Sequence, residues 1–296
     1  MLVVLLDEFT SVKGKDVSIN EEAANELLLH YKCVMRVKEG KGKPVLSAAL
    51  QRLILEELFR LISEYSFQSK FENQQQSPLS HEHSQPQQEV DQQEVDQQDP
   101  ETSPRLSPIP EAYTIKVDDN ILEAEIATSM KVLCDLVKQL SESRKGTDDI
   151  TNLTPINIRQ QVFAALGTRG FCNDKHPFID QLTDAILKTA GKYRQFKSKE
   201  KQTESHERAA KIAKEIALLY FRLLAQEPVP EFTEFFEAGT PLQNNIMEGT
   251  WDDYEIHDLE VEICSFPLVS IKDKDNSRKV LYKGVVLTRQ NNINPA

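Results

Sequence analysis

The chain has 296 residues, of which 39% are apolar and 28% are charged, and its net charge is −12 at neutral pH. This apolar share is low for a single globule, so part of the chain is expected to lie outside any folded core. The negative charge repels nucleic-acid phosphates, which disfavours a nucleic-acid-binding protein, and no apolar run approaches the ~20 residues of a membrane-spanning helix.

The first predicted elements are a pair of helices in an N-terminal segment, residues 1 to 70. Ser18 and Glu21 have the spacing of a capping box, which predicts a helix over residues 18 to 32. A second helix is predicted over residues 45 to 67, where apolar side chains recur on one helical face. Because two short helices bury little area, we expect this pair to pack on a partner, on the C-terminal domain or on a second copy of the chain.

Residues 71 to 112 are predicted to be a disordered linker. They are rich in Gln, Ser, Pro and acidic residues, nearly lack large apolar ones, and contain a tandem five-residue repeat at residues 89 to 98. A segment of this composition buries too little apolar surface to offset the entropy cost of ordering.

The C-terminal domain, residues 113 to 292, is predicted to be a helical bundle with a small β element, so the expected fold class is mainly α. We expect this domain to fold alone. Apolar residues at helical spacing predict helices over residues 122 to 140, 154 to 166, 176 to 193 and 203 to 226. Pro155 and Pro177 are each predicted at a first helical position. The apolar stripe of the first helix consists of Leu122, Ile126, Met130, Leu133, Val137 and Leu140.

The β element is predicted near the end of the chain. Residues alternate between apolar and polar from Leu259 to Cys264, and Val280 to Leu287 predict a second strand, with a hairpin loop between them. Trp251 is the only tryptophan. We expect its ring to pack on the last helix and on the strand Phe266-Pro267-Leu268, because Gly249 allows the chain to approach closely and a buried tryptophan contributes a large apolar area.

The chain lacks the sequence motifs of common enzyme sites. It has no phosphate-binding glycine loop, no nucleophile elbow and no zinc-protease helix. The four cysteines are scattered, which disfavours a disulfide framework or a zinc site. We therefore predict a protein that is not an enzyme and has no cofactor or metal. Cys172 and His176 define one alternative, a hydrolase with an unrecognised thiol site.

One charged segment is unusual in so acidic a chain. Five basic residues crowd the connection between the third and fourth helices of the C-terminal domain, and they are candidate contacts for an acidic partner or an anionic lipid surface. The other interpretation is an ordinary solvated connection. The residues are Lys192, Arg194, Lys197, Lys199 and Lys201.

A set of short motifs marks residues 149 to 268 of the C-terminal domain. The motifs are Ile-Arg-Gln-Gln-Val at residues 158 to 162, Ala-Ala-Leu-Gly at 164 to 167, Arg-Gly-Phe at 169 to 171, Gln-Glu-Pro at 226 to 228, Met-Glu-Gly with Trp-Asp at 247 to 252, and Ile-Cys-Ser-Phe-Pro-Leu at 263 to 268. In these motifs the domain resembles a large family of uncharacterised fungal proteins, which implies no particular function.

Four short segments in the last third of the chain carry a second resemblance. They are residues 226 to 228, 251 to 254, 266 to 268 and 283 to 285. In these segments the chain is similar to the C-terminal domain of the mitochondria-eating protein family. This resemblance implies a helical domain closed by strands that associates with proteins or lipids in the cytosol or at the mitochondrial surface. The extended coiled coil of that family is replaced here by the Gln-rich linker.

These observations lead to a ranked set of functional hypotheses. The first is a cytoplasmic protein-interaction or adaptor protein that has protein partners, no nucleic acid and no cofactor, with homo-oligomers as an option. The second is a membrane-surface protein that recognises anionic lipid, with mitochondria as the candidate location. The hydrolase is the third.

Limited proteolysis tests the predicted linker. A protease is expected to cut first within residues 71 to 112, because exposed flexible segments are the preferred nicking sites. Mass spectrometry of the early fragments locates the cuts. First cuts within the predicted helices, with this segment left intact, would contradict the prediction.

Overall fold

The structure is a computed structural model that describes residues 2–38, 42–67, 122–172, 175–252, 254–272 and 277–291. The predicted linker, residues 71 to 112, lies outside these ranges. None of the helices in the described part combines the length and the apolar character needed to cross a bilayer.

The described residues form seven α-helices. Four of the predicted helices, over residues 45 to 67, 122 to 140, 176 to 193 and 203 to 226, are confirmed as α3, α4, α6 and α7, and α6 begins at Pro177 as expected. In chain order the helices are α1 (Leu2–Thr10), α2 (Glu21–His30), α3 (Lys43–Phe67), α4 (Leu122–Ser143), α5 (Asp149–Arg169), α6 (Pro177–Gly191) and α7 (Lys199–Leu224).

Two predicted helix starts are wrong because a different residue caps the helix. Asn20, not Ser18, is the N-cap of α2, and its side chain accepts a hydrogen bond from the amide of Ala23. Helix α5 begins after Asp148, whose carboxylate accepts the amide of Thr151 at 2.7 Å. The earlier cap places Pro155 inside the helix instead of at its first position.

Helix α3 is the centre of the core. Its first half packs with α2 and with Ile263 through Leu46 and Leu50, whereas its second half contributes Leu58 and Ile62 to the large cluster that also contains residues of α1 and α4 to α7. The predicted N-terminal segment therefore packs on the C-terminal domain, and the two share one core. The expectation that residues 113 to 292 fold alone stays a prediction.

The strands of the described residues form three small sheets instead of the single C-terminal β element that was predicted. The first sheet joins the two halves of the sequence, since β1 (Val17–Ile19) pairs antiparallel with β2 (Arg194–Phe196). The other two sheets have the orders β3–β6–β7 and β4–β8–β5. Their strands are β3 (Glu231–Glu234), β4 (Met247–Glu248), β5 (Leu259–Phe266), β6 (Leu268–Lys272), β7 (Arg278–Tyr282) and β8 (Gly284–Gln290).

The predicted strand over Leu259 to Cys264 lies within β5, whereas the predicted strand over Val280 to Leu287 is interrupted. Pro267 separates β5 from β6, because proline has no N–H to donate to a ladder. Lys283 separates β7 from β8. The predicted hairpin is therefore formed by β6 and β7, which pair antiparallel. The strands that flank this hairpin in the sequence, β5 and β8, pair with each other.

Strand β5 is buried on both faces, which its alternating sequence does not indicate. Glu262 is only 1% exposed. Its carboxylate accepts hydrogen bonds from the Arg289 guanidinium and from the amide of Met35, both at 2.8 Å. Arg289 also bonds Glu260 at 2.5 Å. This charged cluster ties the loop after α2 to the third sheet.

Trp251 is half-buried and packs against an apolar cluster of the C-terminal strands that includes Leu268. The buried apolar residues of α7 belong to a different cluster, the large one to which Leu58 and Ile62 of α3 contribute. The indole N–H of Trp251 donates to Asn244 at 2.8 Å. The ring covers Gly249, since a Cβ atom there would lie 2.3 Å from the ring atom Cζ3 of Trp251 and 2.5 Å from the carbonyl oxygen of Val286.

The contact at Gly249 gives a direct test of this part of the fold. Gly249→Ala is expected to lower the free energy of unfolding by about 1–3 kcal/mol, because the added methyl group overlaps a ring and a backbone oxygen. Urea unfolding followed by the fluorescence of the single tryptophan measures both stability and ring environment.

Gly191→Ala is the matched control, because a Cβ atom at Gly191 meets nothing within 4 Å. This substitution is expected to leave the free energy of unfolding unchanged or to raise it slightly, since alanine has a higher helix propensity than glycine. Equal stability of the two variants would contradict the close contact.

Candidate functional site

The predicted basic segment does not form one surface. Lys192, Lys197, Lys199 and Lys201 are exposed, but Arg194 is only 4% exposed. Because Arg194 opens β2 opposite Ile19 of β1, its side chain is enclosed by the first sheet and by α1. Arg194 is therefore corrected from a surface contact to a buried cation.

The guanidinium of Arg194 is held by two rings and one carbonyl. Its carbon lies 4.7 Å from the ring centroid of Phe9 and 4.7 Å from that of Phe196. Its Nη1 atom donates to the carbonyl of Ser11 at 3.0 Å. The Nε and Nη2 atoms are buried and have no hydrogen-bond partner. Burial lowers the pKa of Arg194 to about 10.

Arg194 lines a cavity of about 230 Å³ between α1, the loop that follows it, β2 and the first turns of α7. Some charged lining residues already pair with each other: Glu204 bonds Lys201 at 2.7 Å and Arg208 at 2.6 Å. Four cations and three carboxylates line the cavity, which makes it locally positive in a chain of net charge −12. The charged lining residues are Glu8, Lys13, Asp16, Arg194, Lys201, Glu204 and Arg208.

A second buried arginine shows a contrasting environment. Arg52 of α3 also lies between two rings, those of Tyr31 and Phe235. All three of its nitrogens donate, to the carboxylates of Glu56 and Glu237 and to one backbone carbonyl. Burial lowers the pKa of Arg52, but the carboxylates outweigh it and the pKa lies above its ordinary value. Arg194 has no such partner.

The structure separates the roles of Cys172 and His176. His176 caps α6, and its Nδ1 accepts the amide of Phe178 at 3.2 Å. Its Nε2 lies 3.1 Å from the carboxylate of Glu123. Both ring nitrogens are therefore engaged, and neither is left to take a proton from a thiol. Cys172 is exposed and contacts the carbonyl of Thr168.

Glu123 is the buried partner of this histidine. Burial raises the pKa of its carboxyl, but the hydrogen bonds from His176 and from the amide of Phe171 outweigh burial, and the pKa lies below its ordinary value. The carboxylate thus connects α4 to the start of α6. This arrangement explains a buried histidine and a buried glutamate as a structural pair.

Helix α4 has a second apolar face that the core does not cover. Of the six residues of its predicted stripe, only Met130 is buried, because the core contacts a neighbouring face that carries Ala124, Ala127 and Cys134. We name the exposed face the α4 stripe. Its residues are between 36% and 55% exposed and comprise Ile126, Val132, Leu133, Leu136 and Leu140.

Two further features extend this apolar surface. Ile150 and Leu153, near the start of α5, are 81% and 50% exposed. At the other end, Ile126 lines a groove of about 390 Å³ between α4 and α5, together with Leu122, Val162, Ala165 and Leu166. Large exposed apolar patches on monomeric proteins mark interaction sites, so this part of the surface is a candidate for binding a partner.

Within the described ranges, His, Cys, Asp and Glu side chains do not come together in a group of three that could hold a metal ion. Comparison of the chain with protein-family models, with curated proteins and with solved structures finds no match. The resemblances seen in the sequence therefore stay predictions.

Thiol labelling tests the separation of Cys172 from the other cysteines. In the native protein only Cys172 is expected to react rapidly with a maleimide, because Cys33, Cys134 and Cys264 are buried and burial raises the pKa of Cys33 to about 12 and of Cys264 to about 11. Mass spectrometry identifies the labelled residue. All four thiols should react in denaturant.

His176→Asn tests whether Cys172 and His176 act as a catalytic pair. Asparagine keeps a side-chain acceptor at the N-cap of α6 but removes the imidazole ring. The labelling rate of Cys172 is expected to stay within about twofold, because neither ring nitrogen serves the thiol. A rate at least tenfold slower in the folded variant would contradict this separation and favour the hydrolase alternative.

Proposed function

We propose that the protein is a non-enzymatic helical interaction protein that binds the helix of a partner protein on the α4 stripe. The single observation that supports this most strongly is a helix with two apolar faces, of which the core covers one. The proposal rests on surface chemistry, because the described residues bring together no set of side chains with an evident catalytic geometry.

The spacing of the α4 stripe favours a helical partner. Ile126, Leu133 and Leu140 recur every seven residues, and Leu136 follows Leu133 by three. This is the spacing of the first and fourth heptad positions, which form a narrow seam against another helix. Val132 widens the seam on one side. A partner helix with an apolar face of its own would bury both surfaces.

The groove beside Ile126 supplies a deeper contact at one end of the stripe. The exposed surface of the groove is almost entirely apolar, although Glu123, Gln161 and Arg169 line it together with its apolar residues. A large apolar side chain of the partner helix fits such a groove, and buried anchors of this kind carry much of the binding energy of an interface.

A cytoplasmic location is part of this proposal. All four cysteines are free, and free thiols persist in reducing compartments. The membrane-surface alternative has one supporting observation, the four exposed lysines between Lys192 and Lys201. Exposed lysines are also common on solvated surfaces, so the apolar stripe is the stronger support for a protein partner.

Site-specific photo-crosslinking tests the proposed docking. A benzophenone amino acid at Leu136 is expected to crosslink, in cells, to apolar positions on one helix of a partner protein. Lys138 is the matched control position, because it is exposed and lies about 160° from Leu136 around the helix, at 100° per residue. Peptide mapping by mass spectrometry identifies the crosslinked residues.

Leu136→Glu should abolish the crosslinks made from a benzophenone at Leu133, with Lys138→Glu as its control. Both side chains are exposed, so the free energy of unfolding is expected to change by less than about 0.5 kcal/mol. Crosslinks to a second copy, to residues 68–121 of the same chain or to lipid, or equal products from Leu136 and Lys138, would overturn the proposal.

A further inference from the structure

We propose that residues 29 to 38, at the end of α2 and in the loop that follows, bind an anionic membrane surface. We name this segment the α2 corner. Its exposed apolar side chains enter the lipid interface, and the cations beside them contact headgroup phosphates. The apolar residues are Leu29, Val34 and Met35, and the cations are Lys32, Arg36 and Lys38. This surface is separate from the α4 stripe, and a membrane contact here does not depend on a helical partner.

The apolar side chains of the α2 corner project into solvent. Leu29 is 62% exposed, Val34 is 59% exposed and Met35 is 45% exposed. Cys33 and Val37, on either side of Val34 and Met35, point inward and are each 2% exposed. Three large apolar side chains between positions 29 and 35 therefore face outward, while their neighbours anchor the segment in the core.

Hydrogen bonds hold the α2 corner in one shape. The amide of Val37 donates to the side chain of Asn25, and the amide of Met35 donates to the buried carboxylate of Glu262, both at 2.8 Å. The exposure of Val34 and Met35 is thus a property of a well-bonded segment. Such a segment loses less conformational entropy on binding than a flexible loop does.

Lys32 occupies a backbone position that favours glycine. The amides of Lys32 and Cys33 donate to the carbonyls of Leu29 and Leu28, at 2.9 and 2.8 Å, which ends α2 in a Schellman motif. The φ angle of Lys32 is +59°, which glycine adopts freely and other residues adopt only with strain. The motif needs no side chain at this position, and the side chain of Lys32 is 73% exposed. Strain of this kind points to a function for the cation.

The cations of the α2 corner have little compensation within the protein. Residues 27 to 38 contain no acidic residue. Lys32 lies 3.7 Å from Glu237, but both side chains are largely exposed and Glu237 also pairs with Arg52, so this pair contributes little energy. Arg36 and Lys38 have no carboxylate partner among the described residues. The α2 corner is therefore locally positive.

The negative charge of the whole chain does not prevent this contact. Charges more than ~8 Å apart are largely screened at physiological ionic strength. The acidic residues of α2 that precede Leu29, Glu26 and Glu22, lie roughly 5 and 10 Å back along the helix axis. The exposed lysines near Lys192 offer charge alone, whereas the α2 corner combines charge with apolar side chains. Attraction to anionic lipid and apolar burial together hold a protein at a bilayer interface. A bilayer also needs no pocket of matching shape, so it fits a projecting corner better than a protein surface does.

Sedimentation of the full chain with vesicles tests the contact. The chain is expected to bind vesicles of phosphatidylcholine with about one-third phosphatidylserine, and to bind phosphatidylcholine alone at least tenfold more weakly. Val34→Glu should weaken binding to the anionic vesicles at least tenfold, since it places a carboxylate at the tip. Leu281→Glu is the matched control, because Leu281 is an exposed apolar residue of β7 and the substitution adds the same charge. It should change binding less than about twofold.

Lys32→Gly separates the role of the cation from the role of the turn. Glycine relieves the strained φ angle, so the melting temperature is expected to stay unchanged or to rise. Binding to the anionic vesicles should nevertheless fall about fivefold, the contribution of one lysine near an anionic surface. A merely structural residue would not combine these two results.

Three results would overturn the proposal. They are the absence of sedimentation with anionic vesicles, equal effects of Val34→Glu and Leu281→Glu, and binding that Lys32→Gly leaves unchanged. The purified chain contains no helical partner, so each of these results leaves binding on the α4 stripe to its own crosslinking test.

Discussion

The burial of α3 on almost every side is the constraint on which the rest of the structure depends. Between residues 42 and 66 only Pro44, Arg60 and Glu64 are exposed. A helix buried around its whole circumference needs neighbours on all sides, and α1, α2, α4, α6, α7 and β5 provide them. Its buried polar groups also need partners. Ser47 bonds Thr10 of α1 at 3.0 Å, and Arg52 bonds the segment around Glu237. The positions of α1 and of that segment follow from α3.

Long periodic runs were predictable from the sequence, whereas single helix starts were predicted less well: α6 begins at Pro177 as expected, but the predicted caps of α2 and α5 are wrong. The helices α3, α4 and α7 repeat their apolar residues over four or more turns, so one misleading residue hardly changes the pattern. The start of α5 depends on one choice between Asp148 and Thr154 as the cap. Both are good N-cap residues, and the proline after Thr154 favoured the wrong one.

The remaining differences between the predicted and the observed structure arise from contacts between segments that are distant in the sequence. Glu262 has the place of a solvent-facing residue in an alternating strand, but its partners are Arg289 and the amide of Met35. Likewise, nothing in the sequence around Arg194 distinguishes it from the other four cations of the basic segment. The pairing of β2 with β1 buries it, and no spacing within residues 192 to 201 contains that information. Three residues of the α4 stripe, Ile126, Leu133 and Leu140, belonged to the predicted pattern, but a helix with apolar residues on two faces does not reveal which face the core takes.

The shared core has a consequence for the order in which the chain is synthesised. Helix α3 leaves the ribosome well before α6 and α7, against which Ile62 and Tyr65 pack in the finished protein. At ~5–20 residues per second, the interval between the end of α3 and the end of α7 is roughly 10–30 s. At the start of that interval only α1 and α2 are available to cover the apolar surface of α3, and α4 and α6 follow before α7 emerges. Nascent chains of this protein are therefore expected to be substrates for ribosome-associated chaperones, and stable tertiary structure should form only after α7 has emerged.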